Sequence, residues 1–431
     1  MFKMFRKHTN NKVIVHNLTF KGIEVVPGVL DFDQRGIVYV NSGDVIVTKN
    51  KPEQDYLDYL QELGWNFKGV TFLSPSSQEN YVYNSVFKDK ALISELSKYK
   101  GFNIDTYNAT SDEDQFSREI NLPLSFNCSV SQKYGTKSGF RRLCKTLGIN
   151  VPIGAESVNS IDDAIKIVGD IFADGYEKLV IKIDEGISGA GNTIINKEEF
   201  SRLDNAEKKS LIEQAMTKVK QAGEQSAVVL EGWISNVVAS PSVQVEIFPN
   251  GKYEIVSMHD QLLEGVEQWY VGCAYPPNSI NDEQSRRLKE DVKIIVDQLC
   301  KEGYYGFLGL DTIINGDGEI YWVEANARKT GTFYPKTIAE RLNGGSLKNV
   351  YYVATDLIAT SFKGAKFQNL KLLLKNLLFP IEGKNRGIFL YNVGALKDAG
   401  RFDMVCFGES LSDARELYLE AKSLVREANE K

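Results

Sequence analysis

Histidine is scarce in this 431-residue chain, which contains only His8, His16 and His259. Cysteine is hardly commoner: Cys128, Cys144, Cys273, Cys300 and Cys406 are odd in number, far apart, and form neither a CxxC nor a Cys/His cluster. That pattern argues against a disulfide framework and a thiolate zinc site, and fits buried thiols in a reducing compartment. No Ser/His/Asp or Cys/His arrangement is recognisable, so covalent nucleophilic catalysis has no obvious candidate. No apolar run approaches the ~18 residues of a membrane span. The basic start MFKMFRKHTNNKVIV also lacks the apolar stretch of a secretory leader, so a cytoplasmic protein is expected. Neither sign of charge dominates. A net charge of -6 with scattered Lys and Arg recommends neither nucleic acid nor an acidic membrane as a partner. Internal repeats and low-complexity tracts are absent as well.

What is present describes an ordinary globular protein, with 42% hydrophobic and 25% charged residues. At roughly 150 residues per domain the length suggests about three domains or subdomains, enough for a cleft between lobes. From residue 13 to about 75 the apolar runs VIV, IVYV, DVIVT and VTFL alternate with polar segments and read as a small βα domain. Residues 76 to 130 are polar and weakly periodic, and either link or extend it. KSGFRRLCKTLGINVP places Phe140, Leu143, Cys144 and Leu147 on one helical face, with Gly148 as the stop. A small α+β unit follows, then hairpins around Pro249-Asn250-Gly251 and Asn315 to Gly318, with a helix at about 281 to 301 between them. A helix is expected to open on Pro335, and a last one to be capped by Ser410 with Asp413.

Three segments carry candidate chemistry. In EIYWVEANARKTG, an apolar strand continues into Glu324, Asn326 and Arg328 at every second position, one face of an extended chain. Across the hairpin Asp311 should come within a residue or two of facing Glu324. Two neighbouring buried carboxylates conflict unless one holds a proton or a cation sits between them, and carboxylates with an amide oxygen suit Mg²⁺. The plainer reading is a solvent-facing hairpin with a few charges. In LVIKIDEGISGAGN, Lys182 stands on an apolar strand before Gly186, Ser188, Gly189 and Gly191, where backbone N–H groups can approach an anion. This is neither a Walker A loop nor a dinucleotide fingerprint, and a flexible hairpin tip is the alternative. In VVLEGWIS, an apolar strand ends in Glu231, Gly232, Trp233 and Ile234, suited to an adenine edge or to ordinary packing.

Taken in order, with Lys137 at a helix start, Lys182, Glu231, Asp311, then Glu324, Asn326 and Arg328, residues 131 to 345 resemble the ATP-grasp superfamily of carboxylate ligases. SPSVQVEIFPNG, SMHDQLLEG, YVGCAYP and EANARKTGTFYP look like the pheganomycin-type peptide ligases, which carry a pre-ATP-grasp domain in front. The resemblance implies an α/β (α+β) architecture. It comprises a pre-ATP-grasp domain over 1–130, an ATP-grasp domain over 131–355 with a lid at about 150–233, and a C-terminal extension over 356–431. It also implies that Lys137 and Lys182 hold ATP phosphates under the Gly186 to Asn192 loop and that Glu231 to Ile234 hold the adenine. Asp311, Glu324 and Asn326 would bind Mg²⁺, expected as two ions that Mn²⁺ can replace, and Arg328 would face the transferred phosphate or the carboxylate. One departure is that SNVVAS offers no acidic residue for the ribose.

The expected activity is therefore an ADP-forming ligation of an amino acid or similar small carboxylate to an amine or peptide through an acyl phosphate, in specialised metabolite biosynthesis. Arg328, Lys182 and, as a base, His259 are the catalytic candidates; for His259 a structural role is the competing reading. Capture of the acyl group by a carrier-protein thiol, and a nucleotide-binding protein without turnover, are the rival readings. A homodimer is a superfamily-level expectation.

Overall fold

A computed structural model describes residues 11–18, 26–77, 79–185, 192–223, 227–265 and 268–430. The apolar run Lys12–Val15 is buried throughout and lies inside a parallel sheet, between Val45–Val47 and Asn103–Thr106, with Thr71–Leu73 at the edge. A parallel strand covered on both faces needs no alternation, which is why VIV and VIV again read as unbroken apolar triplets. Two parts of this domain differ from the sequence reading. IVYV is no strand, because Val29–Tyr39 winds as a 3-10 stretch that buries Ile37 and Val38. A short apolar run satisfies a buried helical turn as well as a strand. The segment 76 to 130 is structured, supplying the fourth strand, Asn103–Thr106, and four helices from Val82–Lys88 to Cys128–Tyr134.

The lid unit is a four-stranded sheet in the order Gly154–Val158, Val228–Gly232, Lys178–Ile183, Thr193–Asn196. Leu179, Ile181 and Ile183 point into a core made with the helices Ile161–Ala173 and Asn205–Gly223. The alternate residues Val180 and Lys182 therefore face the opposite side, toward the cleft.

The largest sheet runs in the order Ile320–Asn326, Gly306–Asn315, Pro241–Ile247, Tyr253–Glu264, Trp269–Tyr275, Tyr351–Ile358, Arg401–Gly408, Gly387–Tyr391. Helix Asp282–Lys301 covers one end, where Leu288, Val292, Ile295 and Leu299 meet Leu308, Leu310 and Trp322. The division expected at 355 falls inside the strand Tyr351–Ile358, and the segment beyond it continues the same sheet. Its side chains share one core with the first domain: Trp65 packs on Phe389 with ring centroids 5.0 Å apart, and the Tyr59 hydroxyl accepts from the Leu390 amide at 3.0 Å. Helix Phe333–Leu342 starts two residues before Pro335. A proline within the first turn lacks only an N–H that has no intrahelical partner there. Ser410 does cap the last helix, Leu411–Asn429, accepting from the Asp413 amide at 3.2 Å.

Candidate active site

The strand that holds Glu324 carries an irregularity that the regular alternation of its sequence conceals. Asp311 pairs with Glu324, but the next residue, Thr312, pairs with Trp322, so Val323 is an extra residue, a β-bulge. Before the bulge Ile320 and Trp322 point into the core under helix Asp282–Lys301. After it Ala325 and Ala327 take the core side, while Glu324, Asn326 and Arg328 line the cleft. One inserted residue thus converts an apolar strand into a polar wall.

Asp311 and Glu324 are direct cross-strand neighbours. Burial first, and then the Glu324 charge, push the Asp311 carboxyl up to about 6. The Asn326 amide nitrogen donates to Asp311 Oδ2 at 2.9 Å, and Ser242 donates to Oδ1 at 2.5 Å. Behind Ser242, Gln244 donates to its hydroxyl at 2.8 Å, and Thr330 donates to Gln244 Oε1 at 2.7 Å. The carboxylate is thus held in orientation from two sides. Among the described residues no group of three or more His, Cys, Asp or Glu forms a cation cage. A Mg²⁺ at Asp311, Glu324 and the Asn326 carbonyl would therefore take its other ligands from phosphate oxygens and water, as that ion commonly does.

Lys137 is the first residue of helix Lys137–Leu147, whose amides Lys137 N and Ser138 N bond to the Asp184 carbonyl (3.0 Å) and carboxylate (2.6 Å). Asp184 follows the Lys182 strand by two residues, so this cap brings the two lysines to one place. Gly139 is required by the same junction, because a Cβ there would sit 1.9 Å from the Lys133 carbonyl. Lys137 Nζ reaches Glu324 Oε1 at 3.0 Å. Lys182 hydrogen-bonds the Glu231 carboxylate, which on its other side meets the buried Arg141. Burial alone would raise the Glu231 carboxyl; Lys182 and Arg141 together hold it below the usual range. Each lysine thus stands paired with an acid, Lys137 with Glu324 and Lys182 with Glu231. Gly232 is needed where the chain leaves this strand, because a Cβ would come 2.7 Å from the Tyr176 ring.

Lys137, Lys182, Glu231, Asp311, Glu324 and Asn326, with Trp233 and Ile234, line one cavity of about 550 Å³ between the lid and the large sheet. Residues 130–332 match the family model of the ATP-grasp domain, and residues 33–122 match that of the pre-ATP-grasp domain. The chain is an ATP-grasp protein. It is 23% identical over 402 residues to an L-propargylglycine–L-glutamate ligase of Streptantibioticus cattleyicolor, which spans 85% of this chain and 82% of that ligase. It is 24% identical to a butirosin acyl-carrier protein–L-glutamate ligase of Niallia circulans over 71% of this chain and 66% of that protein. Solved structures with the same fold include biotin carboxylase of Campylobacter jejuni (TM-score 0.61, 14% identity, 94% of this chain and 89% of that one). N5-carboxyaminoimidazole synthetase of Staphylococcus aureus is another (TM-score 0.58, 16% identity, 98% and 99%).

Within this ATP-grasp protein the cleft gathers Lys137, Lys182, Glu231, Gly232, Trp233, Ile234, Asp311, Glu324, Asn326 and Arg328. Gly186, Ser188, Gly189 and Gly191 lie outside the described residues. Where the sequence offers no acidic residue, Ser235 and Asn236 line the cavity just past the strand Val228–Gly232. His259 is not among the lining residues. It is fully buried, bonded to the Tyr352 hydroxyl at 2.6 Å and covered by the Tyr275 ring, and burial lowers it to about 3. An imidazole sealed from the cleft has no path to a substrate proton, so the structure favours the structural reading over that of a base. Replacing His259 with Gln should leave kcat within a few-fold from pH 6 to 9. Stability should respond instead. Below about pH 6.5 the unfolded chain binds a proton that the folded one refuses down to about 3, so the wild type loses stability as pH falls through that window. Melting temperature against pH should fall less steeply in the Gln variant.

Sequence reasoning missed Arg141, Ser242, Gln244 and Thr330. Arg141 lies one helical turn after Lys137, and the polar Ser242 and Gln244 alternate with Val243 and Val245 on a central strand, signals that could have been read. It also missed Lys329. Its ammonium is buried and reaches Asp105 Oδ1 at 2.7 Å and the Thr106 carbonyl at 2.8 Å, which fastens the end of the Glu324 strand to the first domain.

Proposed function

We propose that this protein is a Mg²⁺- and ATP-dependent, ADP-forming ligase that joins an amino acid or similar small carboxylate to an amine or peptide. The observation that carries this is the meeting, in one cavity, of Asp311, Glu324, Asn326 and Arg328 with Lys137 and Lys182 and the Glu231 to Ile234 strand end. In the reaction a substrate carboxylate oxygen attacks the γ-phosphorus, the bond to the ADP oxygen breaks, and an acyl phosphate forms. An amine then adds to the acyl carbon, inorganic phosphate leaves, and the proton of the amine passes to phosphate or water. The protein's part is alignment and charge compensation. Lys137 and Lys182 receive phosphate oxygens, and Arg328 faces the phosphoryl group in flight. Bound Mg²⁺, one ion or two, would neutralise β- and γ-phosphate charge, and Asp311, Glu324 and Asn326 are the residues that would hold it. No base from the protein is required once the leaving phosphate can take the proton.

Release into a carrier-protein thiol instead of an amine is a second reading, favoured by the name of the Niallia circulans relative, an acyl-carrier-protein ligase. Mass measurement of a candidate carrier after incubation separates the two. The primary test is incubation with Mg-ATP, hydroxylamine and a panel of amino acids and other small carboxylates. Hydroxamate and ADP should form with a subset of donors, and Glu324→Gln should reduce both by 100-fold or more. Tight ATP binding with no ADP from any donor would overturn the reading in favour of a non-catalytic nucleotide binder.

A further inference from the structure

The cavity does not end at the metal-facing carboxylates. Its other wall is made by the first domain and the C-terminal strands, and four charged groups meet there: Arg35, Arg401, Asp356 and Asp403. Asp356 and Asp403 are direct partners on adjacent strands. Arg35 Nη2 lies 3.1 Å from Asp403 Oδ2, and Arg401 Nη2 lies 3.0 Å from Asp356 Oδ1. The two guanidinium groups also share the Phe32 ring, at 4.0 and 4.9 Å from its centroid.

As a mere clasp between domains this arrangement is poorly economical. The Nε of Arg35 and the Nε of Arg401 are both buried with no hydrogen-bond partner. A buried donor left unmade is unfavourable, and here there are two beside one cavity. Asp356 keeps about a third of its side-chain surface open at 32%, whereas Asp403 is closed at 6% and also accepts from Asn392 Nδ2 at 3.0 Å. The site therefore offers donors for an anion and an acceptor for a cation, while its own charges cancel. A bare anion or bare cation would unbalance it; a ligand carrying one of each would not.

We infer that this quartet is the anchor for the α-ammonium and α-carboxylate of an amino-acid substrate. The carboxylate is met by the cavity-facing parts of the Arg35 and Arg401 guanidinium groups, and the ammonium takes Asp356. The inference rests on the ligase reading for what happens next, since the strands of Asp311 and Asp403 are five positions apart in the sheet. The anchored groups are then not the reacting ones. The side chain, bearing a carboxylate or an amine, is the part directed toward Arg328.

Binding can be tested without turnover. The full-length protein with Mg²⁺ and a non-hydrolysable ATP analogue is titrated calorimetrically with the twenty proteinogenic L-amino acids. The best binder is then compared with its α-carboxamide and its des-amino analogue. Both analogues should bind at least tenfold more weakly. Asp356→Asn and Arg401→Lys should weaken the parent amino acid at least tenfold and leave nucleotide Kd within twofold. Asp356→Asn should bring no further loss with the des-amino analogue, a result that a purely structural clasp would not give. Absence of amino-acid binding, equal binding of the analogues, or parallel loss of nucleotide affinity would each overturn the proposal. The analogue series on the unaltered protein decides the matter even where a variant fails to fold. Failure of the ligase reading shows separately, as amino-acid binding without ADP formation.

Discussion

Replacing Arg328 with methionine is expected to lower kcat by about 10³-fold, or ~4 kcal/mol, while nucleotide Kd changes less than tenfold. The difference between the two effects follows from where Arg328 stands. In the proposed reaction Lys137 and Lys182 would hold phosphate oxygens already present in the ground state, whereas Arg328, two residues past Asn326 in the same cavity lining, would meet the phosphoryl group in transfer. A group facing charge that spreads only as the phosphoryl group moves lowers the barrier more than it tightens binding. Arg328 is also held for that purpose. Its amide bonds to the Asn326 carbonyl at 2.8 Å, its guanidinium donates to the Lys329 carbonyl at 3.0 Å, and its Cζ lies 5.9 Å from the centroid of the Tyr107 ring. Arg328→Lys should recover little, because an ammonium loses the planar fork. Steady-state ADP release and calorimetry with the nucleotide read the two effects separately. A change confined to KM would place Arg328 in ground-state binding instead.

The second large effect is expected far from the chemistry, at Asp105. This carboxylate, 3% exposed, faces Lys329 at 2.7 Å, His16 at 2.8 Å and Lys12 at 3.4 Å, and accepts from the Tyr39 hydroxyl at 3.3 Å. Burial opposes its charge, but Lys329 and Lys12 prevail and hold it well below the usual range. His16, sealed beside two cations, is pushed down to about 4, burial being the main cause, so it remains neutral at pH 7. Asp105→Asn keeps the shape and removes the carboxylate that these groups share, leaving buried Lys12 and Lys329 only the weaker influence of Asp44 and Glu246 to offset their charge. The expected loss is about 3–5 kcal/mol of unfolding free energy, read as a shift in denaturation midpoint. Lys329 directly follows Arg328, so kcat should fall as well, before the protein unfolds. Unchanged stability would mean that water replaces the carboxylate in the variant.

Much of the site was legible because its residues break local rules. A lysine on an apolar strand, a glutamate at a strand end before Gly232, and Asp311 opposite Glu324 each stand out against apolar surroundings, and the fold brings all four side chains to one cavity. The fold was legible where period was strong, as in helix Lys137–Leu147, and illegible where a segment's role depends on distant partners. NIDT is a strand only because Lys12–Val15 lies beside it. IVYV has no local feature that separates a buried turn from a strand. The bulge at Val323 was hidden by a sequence that alternates on both sides of it, with only the adjacent apolar pair Trp322 and Val323 to betray the shift. Residues that act from behind, such as Arg141, Ser242 and Gln244, carry no signature until the strands they support are in place. The charged quartet joins positions more than 360 residues apart in the chain, Arg35 and Arg401, and no window of sequence contains both.

The core shared by the first domain and the C-terminal strands also bears on how the protein is made. Tyr59, Trp65 and Phe32 find their covering in Phe389, Phe402 and Leu417, which a ribosome moving at ~5–20 residues per second supplies on the order of half a minute later. Until then a large apolar face of the growing chain stays wet, at risk of joining that of another copy. Contacts of such long sequence separation also close slowly. A fragment ending near residue 355 should therefore be recovered as aggregate while the longer chain stays dispersed, and the longer chain's yield should rise when synthesis is slowed or a holding chaperone is supplied.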